Sequence, residues 1–249
     1  MSEVHCYRDF EVHVKREELL RLLGRRKPAE GRRAPESPGG GGYAGSPGGG
    51  GQANVGFNNG KLRGLTDEAV TEAEALAQPR ALLRVVDGGA FPDGSFLSSL
   101  FSRTPSPQGS GPVRAALSIC TIGSPLEDKV TADSDSGRLA RAMILDAAGS
   151  VLAEEVCNWA NQRICELAAG EALFPGARMS PGYSSWNIKE QEIFFRLLPA
   201  DSIGVTLTRA HMMVPRKSVS FAVALFEQDP GERLSPCARC GREGCHFRR

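Results

Sequence analysis

The sequence lacks an excess of charge of either sign: 30 Lys and Arg residues face 29 Asp and Glu over 249 residues, for a formal net charge of +1. Nothing in that balance asks for a phosphate backbone or an anionic membrane as partner, so neither nucleic acid nor lipid is expected. It lacks any run of the roughly 18 to 20 uncharged apolar residues that a bilayer span needs. Met1 to Phe10 also have no apolar core of the kind a secretory signal carries, and a cytoplasmic protein is the expectation. A paired cysteine framework is missing too, because the seven cysteines are odd in number and Cys6, Cys120, Cys157 and Cys165 are scattered singly. There is no internal repeat. The glycines before Gly60-Lys61 form no Gly-x-x-x-x-Gly-Lys-Ser/Thr pattern, which argues against a phosphate loop. Aromatic residues make up only 6% of the chain, beside 41% hydrophobic and 24% charged, a composition of one soluble domain with some unstructured chain attached.

What is present falls into four stretches. Residues 1–24 read as a strand followed by a helix: Phe10, Val12 and Val14 alternate with Glu11, His13 and Lys15, then Arg16 to Leu23 form a short charged helix ended by Gly24. Residues 25–59 are rich in Gly and Pro and offer too little apolar surface to offset the entropy of ordering, so a disordered insertion is expected. Residues 60–230 form the core of the domain, and 231–249 a cysteine-rich tail.

Within the core, Thr66 can cap a helix that Pro79 stops, and a strand follows over Ala81 to Val86. Phe91 to Phe101 is apolar enough to be partly buried, and Thr104 to Gly111 is a Ser/Pro/Gly loop. Ser124-Pro125-Leu126-Glu127 has the form of a capping box opening a helix to about Ala132. Arg138 to Ala147 and Val151 to Ala169, separated by Gly149, read as two helices forming one wall of the core, with Trp159 packed within it. Asn187 and Glu190 cap a helix over Ile188 to Leu198, ended by Pro199. The period then changes to two: Ile203, Val205 and Leu207 alternate, and so do Val219, Phe221, Val223 and Leu225, which predicts two neighbouring antiparallel strands. Strands at the start, middle and end without a regular strand-helix repeat predict an α+β fold, a twisted antiparallel sheet flanked by helices.

The densest cluster of unusual residues is Arg178-Met179-Ser180-Pro181-Gly182-Tyr183-Ser184-Ser185-Trp186. Proline and glycine make a turn whose backbone can approach a ligand, arginine can grip a carboxylate by two prongs, and Tyr183 offers a flat face with a hydroxyl. An amino-acid-like or stacked ligand suits that set, and so does a plain surface turn. Asp146 with Glu154 and Glu155 can be read as a carboxylate site or as solvated helix acids. His211 reads as a packed or edge residue, Cys120 as a small buried one, and Met212 and Met213 as packing residues.

RMSPGY, the following helix ending FFRLL and then IGVTLTRAHMMVPRKSVS together resemble, in order and spacing, the activation domain of cobalamin-dependent methionine synthase. The likeness runs over about Arg178 to Phe226 and extends to Leu117 through Gly170, where SICTIGSPLE and LDAAGSVLAEE look like small stand-alone members of that family. The resemblance implies that Arg178, Ser180, Pro181, Gly182 and Tyr183 lie along bound S-adenosylmethionine. Arg178 would engage the methionine carboxylate or order the loop, and Tyr183 would pack near the cobalt-facing opening. It implies further that the cobalamin sits on a partner, a corrinoid-binding methyltransferase, and that an electron donor also acts, because 249 residues have no space for the family's substrate and cobalamin domains. The chain would then support reductive methylation of that partner or serve as a subunit of a split methionine synthase. No residue is given a catalytic role. Arg209 stands where the larger enzyme has an acidic residue.

The tail carries Cys237, Cys240 and Cys245 with His246 beside the last. Three thiols at these gaps can wrap a zinc ion or hold an iron–sulfur cluster, with His246, Cys6 or His5 as fourth ligand. A redox Cys-x-x-Cys pair and a plain reduced tail stay open beside that reading. A rival for the whole chain is accordingly a non-enzymatic metal-binding scaffold or interaction protein.

Overall fold

The computed structural model describes residues 3–24, 60–101, 111–183 and 185–230. The expected insertion at 25–59, most of the Ser/Pro/Gly loop, Ser184 and the cysteine tail, with Cys237, Cys240 and Cys245, lie outside the described residues. In chain order the elements are β1 (Val4–Arg8), α1 (Arg16–Leu22), α2 (Gly60–Leu76), β2 (Arg80–Asp87), α3 (Phe96–Phe101), β3 (Arg114–Thr121), α4 (Pro125–Asp135), α5 (Leu139–Gly170), β4 (Phe174–Met179), α6 (Gln191–Leu197), β5 (Thr206–Leu207), β6 (Met213–Val214) and β7 (Ser218–Phe226).

β1, β2, β3, β7 and β4 form one sheet in that order, and every pairing is antiparallel. The α+β expectation holds. Because successive strand residues point to opposite faces, each central strand feeds two cores. Ala81, Leu83 and Val85, Ala116 and Cys120, and Phe221, Val223 and Leu225 face α5 and the helices around it. Leu82 and Val86, Leu117 and Ile119, and Ala222 face Phe194, Trp186, Leu97 and Ile203 on the other side. Helices therefore cover both faces, which is why β3 is buried along nearly its whole length.

Several local expectations need correction. The alternating stretch Phe10 to Val14 joins no ladder; the strand is Val4–Arg8. Asp9, at φ 55°, turns the chain out of the sheet, after which Phe10 stacks on Trp159 at 3.8 Å and the Val14 N–H donates to the Glu74 carboxylate at 2.8 Å. α2 begins at Gly60, six residues before the expected Thr66 cap, since Lys61, Leu62 and Arg63 are good helix formers. It still ends before Pro79.

The Ser124 side chain makes no capping bond, and Glu127 turns away from the helix start to accept the Lys217 N–H at 2.6 Å. The two helices expected around Gly149 are one, α5, of 32 residues and about 48 Å. Gly149 is buried inside it: a Cβ there would stand 2.8 Å from Leu126 Cδ2 and 3.3 Å from Lys217 Cε. It thus marks the close approach of α4 and Lys217 rather than a break.

Ile203 belongs to a 3-10 turn, Ala200–Ile203, closed by Gly204 at φ 77°. Only Thr206–Leu207 is extended beyond it, and it pairs with β6 rather than with β7. The Asn187 cap forms, accepting the Lys189 N–H at 3.0 Å. Glu190 does not reach back; it accepts from Trp186 Nε1 at 3.0 Å and from the Phe96 N–H at 2.9 Å.

Candidate functional site

β4 is an edge strand, and its last residues divide between the two faces. Arg178 reaches toward α5, where its guanidinium pairs with Glu154 and lies 3.4 Å from the Asn158 side-chain oxygen and 5.4 Å from the Phe221 ring. Met179 packs against the opposite core. Burial works against the arginine's charge, but the neighbouring Glu154 carboxylate prevails and the pKa is raised above its usual value. Arg178 is therefore a strand residue with a protein partner, whereas the sequence suggested a residue of the turn.

The turn follows at once. Pro181 is buried, and Gly182 adopts φ 87°, where a Cβ would also meet Ile188 Cδ1 at 3.0 Å. The Gly182 N–H donates to the Trp186 carbonyl at 2.8 Å, and the Tyr183 N–H to the Ser180 carbonyl at 3.3 Å. Trp186, stacked on Phe96 at 4.8 Å and buried, anchors the far end of the loop. The loop is thus fixed on both faces of the sheet, and Tyr183 stands at its crest with 57% of its surface exposed.

Tyr183 borders a cavity of about 250 Å³ on the α5 face. Its walls come from α1 (Glu18, Arg21, Leu22), from α5 (Ser150, Val151, Ala153, Glu154, Glu155) and from Arg216 to Val219 at the start of β7. Of the five residues expected from the sequence to lie along a ligand, Tyr183 lines this cavity directly. Arg178 reaches it through Glu154, and Ser180, Pro181 and Gly182 shape the turn behind it. Sequence reasoning missed Glu18, Arg21, Arg216 and Lys217; the only signal for the last two was their place between Pro215 and the Ser-Val-Ser strand.

The acids around the cavity do not form a carboxylate pair. Asp146 holds Lys217 Nζ at 2.8 Å, Glu154 holds Arg178, and Glu155 holds Lys15 at 2.6 Å. Nor is there an activated thiol here: the Cys120 thiol beside it and complete burial push the Cys157 thiol well above its usual range. Among the described residues, no three His, Cys, Asp or Glu side chains are grouped to hold a metal ion, and no helix is long and apolar enough to cross a membrane. What the site offers is an apolar floor, from Leu22, Val151, Ala153 and Val219, ringed by charges of both signs beside a tyrosine face. That suits a zwitterionic ligand with a planar ring system better than it suits proton transfer.

Residues 135–233 match the family described as Vitamin B12 dependent methionine synthase, activation domain. Among solved structures, the MetH reactivation domain bound to AdoHcy is similar to this chain with a TM-score of 0.58 and 14% sequence identity, over 94% of this chain and 81% of that one. No curated protein matches the chain. The chain is therefore activation-domain-like: it has the fold of the methionine synthase reactivation domain, and its C-terminal segment carries that family's sequence pattern. Of the residues lining the cavity, only Glu18, Arg21 and Leu22 fall outside the matched segment.

Proposed function

We propose that this chain binds S-adenosylmethionine in the α1–α5–β7 cavity and acts on a separate corrinoid-binding methyltransferase, as a reactivating partner or as a subunit of a split methionine synthase. One observation carries the reading: Tyr183, and Glu154 as the partner of Arg178, meet on the wall of one cavity inside the segment that matches the activation-domain family. The similar reactivation domain holds AdoHcy, which is S-adenosylmethionine without its transferable methyl.

When both are bound, the corrin supplies the methyl acceptor and S-adenosylmethionine the methyl group. This chain supplies orientation. Leu22, Val151 and Val219 exclude water from one side of the ligand, Tyr183 covers it at the solvent edge, and the flanking charges fix its amino-acid end. A small-molecule electron carrier or a redox protein is the required reductant of the partner.

Calorimetric titration of S-adenosylmethionine into the full chain tests the reading. Binding by the wild type, lost in an Arg178→Ala, Tyr183→Ala double variant, is the expected result; no heat at millimolar ligand would overturn it. Adding the chain to a purified corrinoid methyltransferase should raise methylation turnover, and no gain there would remove the partner. On spacing alone, we propose also that Cys237, Cys240 and Cys245 hold zinc or an iron–sulfur cluster. Anaerobic purification followed by metal analysis should show one of the two, and neither metal would remove this proposal.

A further inference from the structure

Four cations stand around the cavity, and they differ in what they already hold. Arg21 donates from Nε to Glu18 at 2.8 Å. Lys217 is only 12% exposed, and its ammonium is fixed at 2.8 Å from both Asp146 and Ser150 Oγ. Arg178 is committed to Glu154 and Asn158 over the Phe221 ring. Arg216 is different: its side chain is 68% exposed, and the nearest carboxylate among the described residues, Glu127, stands 3.9 Å from its Nε. That separation is too long for a hydrogen bond.

The backbone that carries Arg216 is nevertheless well held. The neighbouring Lys217 N–H donates to Glu127 at 2.6 Å, and the Lys217 carbonyl accepts the Ile122 N–H at 3.2 Å. Ser218 Oγ is bonded to Thr121 Oγ1 at 2.9 Å. Among the described residues this guanidinium has no partner within hydrogen-bond distance, and it projects from a fixed main chain at the rim of the cavity. Such a group can take a carboxylate by two parallel N–H bonds and gives up only water to do so. Arg178, in contrast, already spends donors on Glu154 and Asn158 and is not among the residues that line the cavity.

We infer that Arg216 binds the carboxylate of the ligand and selects for it, while Arg178 is a positioning residue that holds Glu154 and the loop in place. The assignment rests on the reading that the cavity takes S-adenosylmethionine. It moves the carboxylate contact from the residue that the family resemblance points to onto one that the resemblance leaves without a role.

The test compares S-adenosylmethionine with its decarboxylated analogue, titrated into the full-length wild type and the Arg216→Ala, Arg216→Lys and Arg178→Gln variants. Arg216→Ala should weaken S-adenosylmethionine about tenfold, the scale of one charge-assisted contact at an exposed site, and leave the decarboxylated analogue unchanged. Arg216→Lys should recover part of the loss, because it keeps the charge without the fork. Arg178→Gln should weaken both ligands by the same factor. Thermal melts of the Arg216 variants should match the wild type, since the side chain is exposed. Equal weakening of both ligands by Arg216→Ala, or no weakening of either, would overturn the assignment while leaving the S-adenosylmethionine site standing. Loss of discrimination in Arg178→Gln alone would return the carboxylate to Arg178. If the wild type binds neither ligand, the site itself falls, and the assignment with it.

Discussion

The two faces of the sheet are held by different means. Behind β2, β3 and β7, the α6 face is built from Phe91, Leu97, Trp186, Ile193 and Phe194, joined mostly by packing and by hydrogen bonds such as Gln191 to the His211 carbonyl at 2.9 Å. The α5 face has an equally continuous apolar core, but its margins are tied by ion pairs: Arg178 with Glu154, Lys217 with Asp146, and Lys129, Arg138 and Arg141 around the buried Asp133. The cavity beside Tyr183 lies on the second face. One face therefore serves as a rigid foundation for the loop, through Trp186, and the other carries the charged margin of the cavity, where Arg178 at the end of β4 holds Glu154.

Three perturbations sharpen that contrast. Phe194→Ala should be the most damaging, because the ring is fully buried and a large-to-small change of this type costs about 3–5 kcal/mol. Urea unfolding should show that loss; a change under about 1 kcal/mol would mean that the α6 face is not the foundation described. Gly149→Ala should be milder. The added methyl overlaps Leu126 Cδ2 and crowds Lys217, an overpacking cost of about 1–3 kcal/mol set against a helix-propensity gain of about 1 kcal/mol. A small net loss of stability, with weaker S-adenosylmethionine binding as Lys217 shifts, is the expected outcome in urea unfolding and calorimetry.

The third effect is read in acid. The hydrogen bond from Lys129, with those from Arg138 and the charges of both, outweighs burial and holds the Asp133 carboxyl at about 2, below its usual 3.8. A folded-state value below the unfolded one gives stability that is complete above pH 3.8 and is lost as pH falls toward 2. Acid unfolding of the wild type should therefore show a limb between these values that is missing in Asp133→Asn. The same limb in both proteins would place the acid sensitivity elsewhere.

Which parts were legible in the sequence follows from how burial writes itself into the chain. The segment around Ile193 and Phe194 carries a one-sided apolar stripe, and its helix was plain. β7 was plain too, since it alternates Val219, Phe221, Val223 and Leu225 on one face. β3 was not, because burial on both faces turns Ala115 to Thr121 into a continuous run without a period. The Phe10 to Val14 alternation was misleading for the opposite reason: three side chains do pack inward, but against α2 and α5 rather than within a ladder. RMSPGY spans the end of β4 and the turn that carries Tyr183 to the cavity. Arg216, Lys217 and the α1 residues were invisible because only the fold brings them to Tyr183 across more than thirty residues of chain on one side and far more on the other.

The central claim is that a single cavity between α1, α5, the Tyr183 loop and the start of β7 takes the adenosyl ligand. Amide hydrogen exchange of the full chain with and without S-adenosylmethionine tests it most directly. Slower exchange confined to residues 18–22, 150–155, 180–186 and 216–219 is the predicted result. Protection that instead appears at the β5–β6 hairpin and α6, with none around Tyr183, would contradict it.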